Sequence, residues 1–126
     1  MKVEKGLFYT KDHEWVKIEG NEVQVGLSDY AQDHLGDIVY VELPDVDDEL
    51  EAGDAIASIE SVKAASDAFT PFAGKVVAVN EDLDDDPALI NSDPYGAWIV
   101  KLEVEAAPTE DMLSAEDYEK FLSEEA

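Results

Sequence analysis

The residue with the clearest claim to chemistry is Lys63, set in the stretch Ala55-Ile56-Ala57-Ser58-Ile59-Glu60-Ser61-Val62-Lys63-Ala64-Ala65-Ser66-Asp67-Ala68-Phe69. An apolar run with strand character precedes the lysine. Small residues and an aromatic-ended run follow it, and Gly53-Asp54, Pro71 and Gly74 punctuate the outside. The pattern predicts a hairpin with Lys63 near its turn. Its central residues are not the Asn-Gly or Asp-Gly that favour tight hairpins, which singles out the lysine as the feature being presented. From this window alone, a solvated charge at a strand end is the simpler account.

The other candidates are weaker. His13 and His34 stand 21 positions apart without a helical His pair, so a metal site would need carboxylates supplied by the fold. Hydrogen-bonded histidines are the simpler expectation. Residues 45–51 and 82–86 are as acidic as calcium loops but lack the ligand, glycine and glutamate spacing of an EF-hand, and read as solvated loops. There is no cysteine, which removes disulfides, thiolate metal sites and a cysteine nucleophile. No convincing Ser-His-Asp order, nucleophile elbow or glycine-rich phosphate loop is present. A carrier or binding module fits better than an enzyme.

Composition narrows the partners. The 126 residues carry 32 acidic and 8 basic side chains, a formal net charge of −24, and every basic residue is lysine. Such a surface repels nucleic acid and anionic membrane and offers no guanidinium fork. It can steer a cationic partner, or it can reflect a saline habitat. With 45% apolar residues spread along its length, the chain is expected to be one folded domain, residues 1–126, and not a disordered polyanion. The start lacks an apolar signal core and no apolar run approaches membrane-spanning length. The expectation is a cytoplasmic, soluble monomer.

The elements that must position the lysine are mostly β. Residues 14–18 and 23–27 alternate around Gly20-Asn21 and predict a hairpin. Ser28-Asp29 can cap a short helix at 28–35 that Gly36 stops. Strands are expected at 38–43, 74–79 and 98–104, with acidic loops at 45–51 and 80–86 and a short turn from Pro87 to Ile90. Ser114 and Asp117 form a capping-box pattern for a C-terminal helix at 114–124, with Tyr118, Phe121 and Leu122 on one face. Seven or eight short strands and two small helices predict a sandwich or flattened barrel. The order strand, acidic loop, strand occurs on both sides of Lys63, an echo that suggests a pseudo-twofold arrangement.

Glu60-Ser61-Val62-Lys63-Ala64 resembles the lipoyl-attachment motif of the glycine cleavage system H-protein family. The resemblance runs in order through His13-Glu14-Trp15-Val16, Ala31-Gln32-Asp33-His34-Leu35-Gly36-Asp37 and Val39-Tyr40-Val41-Glu42-Leu43-Pro44. It continues through Ser66-Asp67, Pro71, Gly74, Leu89-Ile90-Asn91 and Asp93-Pro94-Tyr95, covering nearly the whole chain. Biotin carriers usually place methionine on both sides of the lysine, where this chain has Val62 and Ala64. Lipoyl domains of 2-oxoacid dehydrogenases are shorter and usually have aspartate before it. Two positions depart from the family pattern: Ala97 replaces a frequent glycine, and Asp12 stands where a hydroxyl residue is common.

The resemblance implies a barrel-sandwich hybrid of the lipoyl-domain type, and a non-catalytic carrier with lipoic acid joined to Lys63 as an amide. Glu60, Ser61, Val62 and Ala64 would form the attachment motif. Lysine and lipoyl together make a swinging arm of roughly 14 Å. A pyridoxal-phosphate glycine decarboxylase would load the aminomethyl group, and an aminomethyltransferase would pass its methylene to tetrahydrofolate. A flavin dihydrolipoyl dehydrogenase using NAD would reoxidise the arm, and a lipoate-attaching enzyme would install it. The loaded arm would fold into a cleft lined by Asp12, Glu14 and Asp67, with His34 at its border. Two alternatives remain open on the sequence: a lipoyl carrier serving other lipoate-dependent or sulfur-metabolism enzymes, and an acidic calcium- or partner-binding β domain.

Overall fold

The computed structural model describes residues 3–107, 109–110 and 112–125, the last without its side chain. Two antiparallel sheets enclose the core. The larger holds β1 (Phe8–Tyr9), β2 (Glu14–Glu19), β3 (Glu22–Leu27), β9 (Val100–Glu103), β8 (Gly74–Val79) and β5 (Glu49–Leu50), in that spatial order. The smaller is β4 (Ile38–Glu42), β6 (Ala55–Ser61) and β7 (Ala65–Phe69), with β6 in the middle. Alternation, shifted in β6 by a bulge between Ala55 and Ala57, explains how they close: Val16, Val25, Ile56, Ile59, Val76 and Leu102 are all essentially solvent-free in one core.

Local chemistry sets the connections. β2 and β3 pair from Glu14↔Leu27 to Glu19↔Glu22, and Gly20 takes the positive φ of 62° that begins the two-residue turn. Helix α1 (Asp29–Leu35) starts where the Ser28 hydroxyl accepts the Ala31 N–H at 3.2 Å. It ends at Gly36, whose φ of 78° suits a helix stop and whose N–H reaches Gln32 O. Helix α4 (Ala115–Glu125) is capped by Ser114, whose hydroxyl accepts the Asp117 N–H at 3.2 Å.

The structure adds elements that the sequence pattern does not show. There are nine strands among the described residues, two of them only two residues long. The acidic connector at 45–51 contains β5, paired with β8. The loop expected at 80–86 winds into α2 (Asp82–Asp85), and the turn after Pro87 continues as α3 (Leu89–Ser92). Each short helix is held by one fully buried apolar side chain, Leu83 and Ile90 respectively. The last strand begins at Val100 and not at 98, although Ile99 N–H already bonds Val25 O at 2.8 Å. The echo around Lys63 has a counterpart in pairing: β4 pairs with β6, and β8 with β9, each antiparallel across its acidic loop.

A second apolar cluster lies under α4. Tyr9 and Tyr118 stack with ring centroids 4.3 Å apart and planes 3° from parallel, and both are fully buried. Trp15 joins them, its indole N–H bonded to Pro94 O at 3.0 Å. Gly26, paired opposite Trp15, leaves room for the indole: a Cβ there would sit 2.6 Å from the ring.

Candidate functional site

Lys63 occupies the tip of the β6–β7 hairpin, and its turn is held by a single side chain. The Ser61 hydroxyl accepts the N–H groups of Lys63 (3.2 Å) and Ala64 (3.1 Å) and donates to Ala64 O at 3.1 Å. Ser61 N–H closes the loop on Ala64 O at 2.8 Å. Neither Val62 nor Lys63 takes a positive φ, so the turn needs no glycine. The serine hydroxyl supplies locally what a primed turn would supply through backbone geometry.

The tip is also fixed from behind. Val62 N–H bonds Asp37 O at 3.0 Å. The segment carrying Asp37 is clamped by Asn91, whose amide donates to Gly36 O at 2.8 Å and accepts from Ile38 N–H at 2.9 Å. The Lys63 stem lies across Gly36, where a Cβ would come within 3.0 Å of Cε.

The environment of Lys63 differs from that of three other lysines, which have charged or aromatic partners. Lys17 pairs with Glu19 at 3.2 Å, Lys75 with Asp47 at 3.4 Å, and Lys101 lies 4.9 Å over the Trp98 ring. Lys63 is exposed, and among the described residues no carboxylate comes within ion-pair distance of its amine. Acylating it breaks no ion pair among the described residues.

Three of the four expected cleft residues meet around one cavity of about 160 Å³: Asp12, His34 and Asp67, over a floor of Leu27 and Ile59. Glu14 does not line it. Glu14 faces a neighbouring cavity of about 590 Å³, and Asp12 borders both. The reason is burial: Glu14 is 2% exposed and ties two sheets together. Its Oε1 accepts the Thr10 hydroxyl at 2.8 Å, and its Oε2 accepts the Phe69 N–H at 3.1 Å. Burial pushes its carboxyl up to about 7, the two hydrogen bonds opposing and nearby Asp12 adding to the shift.

The cavity has an aromatic wall that the sequence reading missed. The His13 ring lies 4.4 Å from Tyr30, which meets His34 edge-on at 4.0 Å, and all three rings line the cavity. Tyr30 and His34 are four residues apart on α1 and so share a face. That spacing is the one signal that could have revealed the pair. His13 is placed by its left-handed φ of 70° and by the Tyr118 hydroxyl, 2.9 Å from Nδ1. The same hydroxyl lies 2.7 Å from Ser28 Oγ, joining α4, the β1–β2 turn and the α1 cap. Among the described residues no three His, Cys, Asp or Glu side chains gather as a metal ion would require.

Residues 7–125 match the family model described as glycine cleavage H-protein. This chain belongs to that family. It is similar to the glycine cleavage system H protein of Thermoanaerobacter sp. (strain X514), with 53% identity over 126 residues, 99% of this chain and 100% of that protein. The H protein of Listeria monocytogenes serotype 4a (strain HCC23) is 56% identical over 124 residues, covering 97% and 99%. The crystal structure of a glycine cleavage system H protein from Mycobacterium marinum superposes with a TM-score of 0.88 at 36% identity, covering 96% of this chain and 99% of that one. The mostly-β, two-sheet fold with a C-terminal helix is therefore the family fold. Among the described residues no helix is long and apolar enough to cross a membrane.

Proposed function

We propose that this chain is the lipoyl carrier of the glycine cleavage system, with lipoic acid amide-linked to Lys63 Nζ. The observation that carries the reading is the exposed lysine at the β6–β7 tip, with no ion pair among the described residues, in a chain that matches the glycine cleavage H-protein family from residue 7 to 125. When bound, the lipoyl group would supply a dithiolane able to take the aminomethyl group of glycine on one sulfur, to give up its methylene to tetrahydrofolate with release of ammonia, and to be reoxidised to the disulfide. The partners are a pyridoxal-phosphate glycine decarboxylase, a tetrahydrofolate-dependent aminomethyltransferase, a flavin dihydrolipoyl dehydrogenase and a lipoate-attaching enzyme. The protein is a carrier and takes no catalytic role in these steps.

The chain's own residues present the arm and shelter what it carries. Ser61 and the Asp37 carbonyl hold the turn so that Lys63 projects, while Glu60, Val62 and Ala64 frame it. A carried primary amine is kept from expelling its sulfur by staying protonated, because protonation ties up the nitrogen lone pair. Asp12 and Asp67 line the cavity beside the hairpin and are placed to hold that proton through charge-assisted hydrogen bonds. His34 and Tyr30 wall the same cavity. Glu14 acts indirectly, by fixing the Thr10 turn that carries Asp12.

The test is glycine turnover in a mixture of the three partner enzymes. Parent protein treated with lipoate and a lipoate-attaching enzyme supports turnover, and Lys63→Arg supports none while keeping its melting temperature. Turnover by the arginine variant would remove the reading, because a guanidinium cannot take the amide.

A further inference from the structure

Strand β4 carries a bulge between Ile38 and Tyr40. In a regular strand alternate residues share a face, so Ile38 and Val41 would point to opposite sides. The extra residue lets both enter the core, at 3% and 1% exposure, and turns the two between them outward together. Val39 is 55% exposed and Tyr40 49%. Tyr40 stands opposite Glu60, and Glu60 opposite Ala65, so this row crosses the outer face of the β4–β6–β7 sheet just behind the lysine turn. Val62, 68% exposed, extends the apolar surface to Lys63 itself. The exposed carboxylates Asp37, Glu42 and Glu60 edge it.

An exposed apolar patch of this kind marks an interaction site more often than chance does, and the core is closed without it. We propose that Val39, Tyr40 and Val62 form the docking surface for the enzyme that acylates Lys63, which meets them with an apolar cup rimmed by lysine or arginine. The proposal rests on the reading of Lys63 as the acylated residue. Reach decides the occupant. Partners that work at the far end of the arm act roughly 14 Å from the lysine Cα and need not touch its base. The acylating enzyme must bring its carbonyl to Nζ, about 6 Å from Cα, and cannot avoid the surface around the turn. In that step the neutral Nζ attacks the carbonyl carbon of an acyl adenylate. The C–N bond forms, the bond from the carbonyl carbon to the phosphate oxygen breaks, AMP leaves with the electron pair, and one Nζ proton passes to solvent. Charge selects the rim: the chain has net charge −24 and the patch is edged by three acids.

The experiment measures loading of the unmodified full chain by a lipoate–protein ligase with lipoate and ATP, followed by intact mass. Tyr40→Ser and Val39→Ser are compared with Val46→Ser, an apolar residue exposed to a similar degree away from the patch. Truncating a buried interface tyrosine costs on the order of tenfold or more in affinity. Tyr40→Ser should therefore raise KM for the carrier by that factor with kcat nearly unchanged, Val39→Ser by less, and Val46→Ser not at all. Melting temperatures should match the parent. Equal KM for Tyr40→Ser and parent would overturn the docking surface, as would normal loading combined with a defect at the glycine decarboxylase. Failure of the parent to accept any lipoyl group at Lys63 would instead overturn the carrier reading beneath it.

Discussion

The β6–β7 tip and the corner behind the cavity solve opposite problems with similar means. At the tip, one serine hydroxyl makes three hydrogen bonds, yet everything around it is exposed. At the corner, one tyrosine hydroxyl meets His13 and Ser28, and the ring beneath it is buried and stacked on Tyr9. In the proposed role the tip presents a side chain to other proteins, and it holds its shape with little burial. The corner bears the position of α4 and the cavity wall, so its polar contacts sit on a packed aromatic base. In the proposed carrier, function and stability are thus carried by different residues.

That division can be broken most forcefully at the corner. Tyr118→Ala removes a stacked ring and leaves a void, and should cost about 3–5 kcal/mol in unfolding free energy. Tyr118→Phe keeps the ring and loses the hydroxyl contacts, so its cost should be well below that of the alanine. If denaturant melts gave the two variants equal stability, the hydroxyl and not the ring would be what anchors α4.

A smaller effect should come from Glu14, the carboxylate that ties β2 to Thr10 and to Phe69 of β7. Its carboxyl is raised in the folded chain from the ordinary 4.5 to about 7 by burial. A raised carboxyl means the folded state binds the proton more tightly than the unfolded state. The stabilisation is fully present below about pH 4.5 and is lost as pH rises to about 7, a change of about 3 kcal/mol. Other acids titrate as well, so the measurement is the difference between parent and Glu14→Gln. Relative to the variant, the parent should lose stability across that window. Parallel stability curves would mean that the buried carboxyl titrates normally.

The least costly change should be at the tip. Ser61→Ala deletes the turn's hydroxyl contacts in an exposed setting, and should cost about 0.5–1.5 kcal/mol. Its signature should be kinetic: slower acylation of Lys63 because the turn is no longer held in one shape. Unchanged acylation kinetics would show that the backbone bonds to Ala64 and Asp37 suffice.

Much of this arrangement is legible in the sequence, where the signal is local. The Gly20-Asn21 hairpin, the Ser28 and Ser114 caps, the Gly36 stop and the Lys63 turn each follow from residues within a few positions. What escapes is set by distant partners. Leu83 winds an acidic loop, and Ile90 the turn after Pro87, into short helices only because the core receives them. Glu14 is one of 32 acids, and nothing near it in sequence announces burial or a bond to Phe69, 55 positions away. The bulge that exposes Val39 and Tyr40 depends on register with β6, which an apolar run does not encode. Of the cleft residues expected from family resemblance, Asp12, His34 and Asp67 come together, and Glu14 stands behind them as a support.

The proposed carrier role requires that one lysine of eight, Lys63 at the β6–β7 tip, be the one acylated. Intact mass followed by peptide mapping tests it directly, on protein loaded with lipoate by an attaching enzyme in excess. A single lipoyl increment on the peptide holding Lys63, with every other lysine unmodified, is the result this account predicts. Lipoyl groups spread over several lysines, or a single one on a lysine other than Lys63, would contradict it.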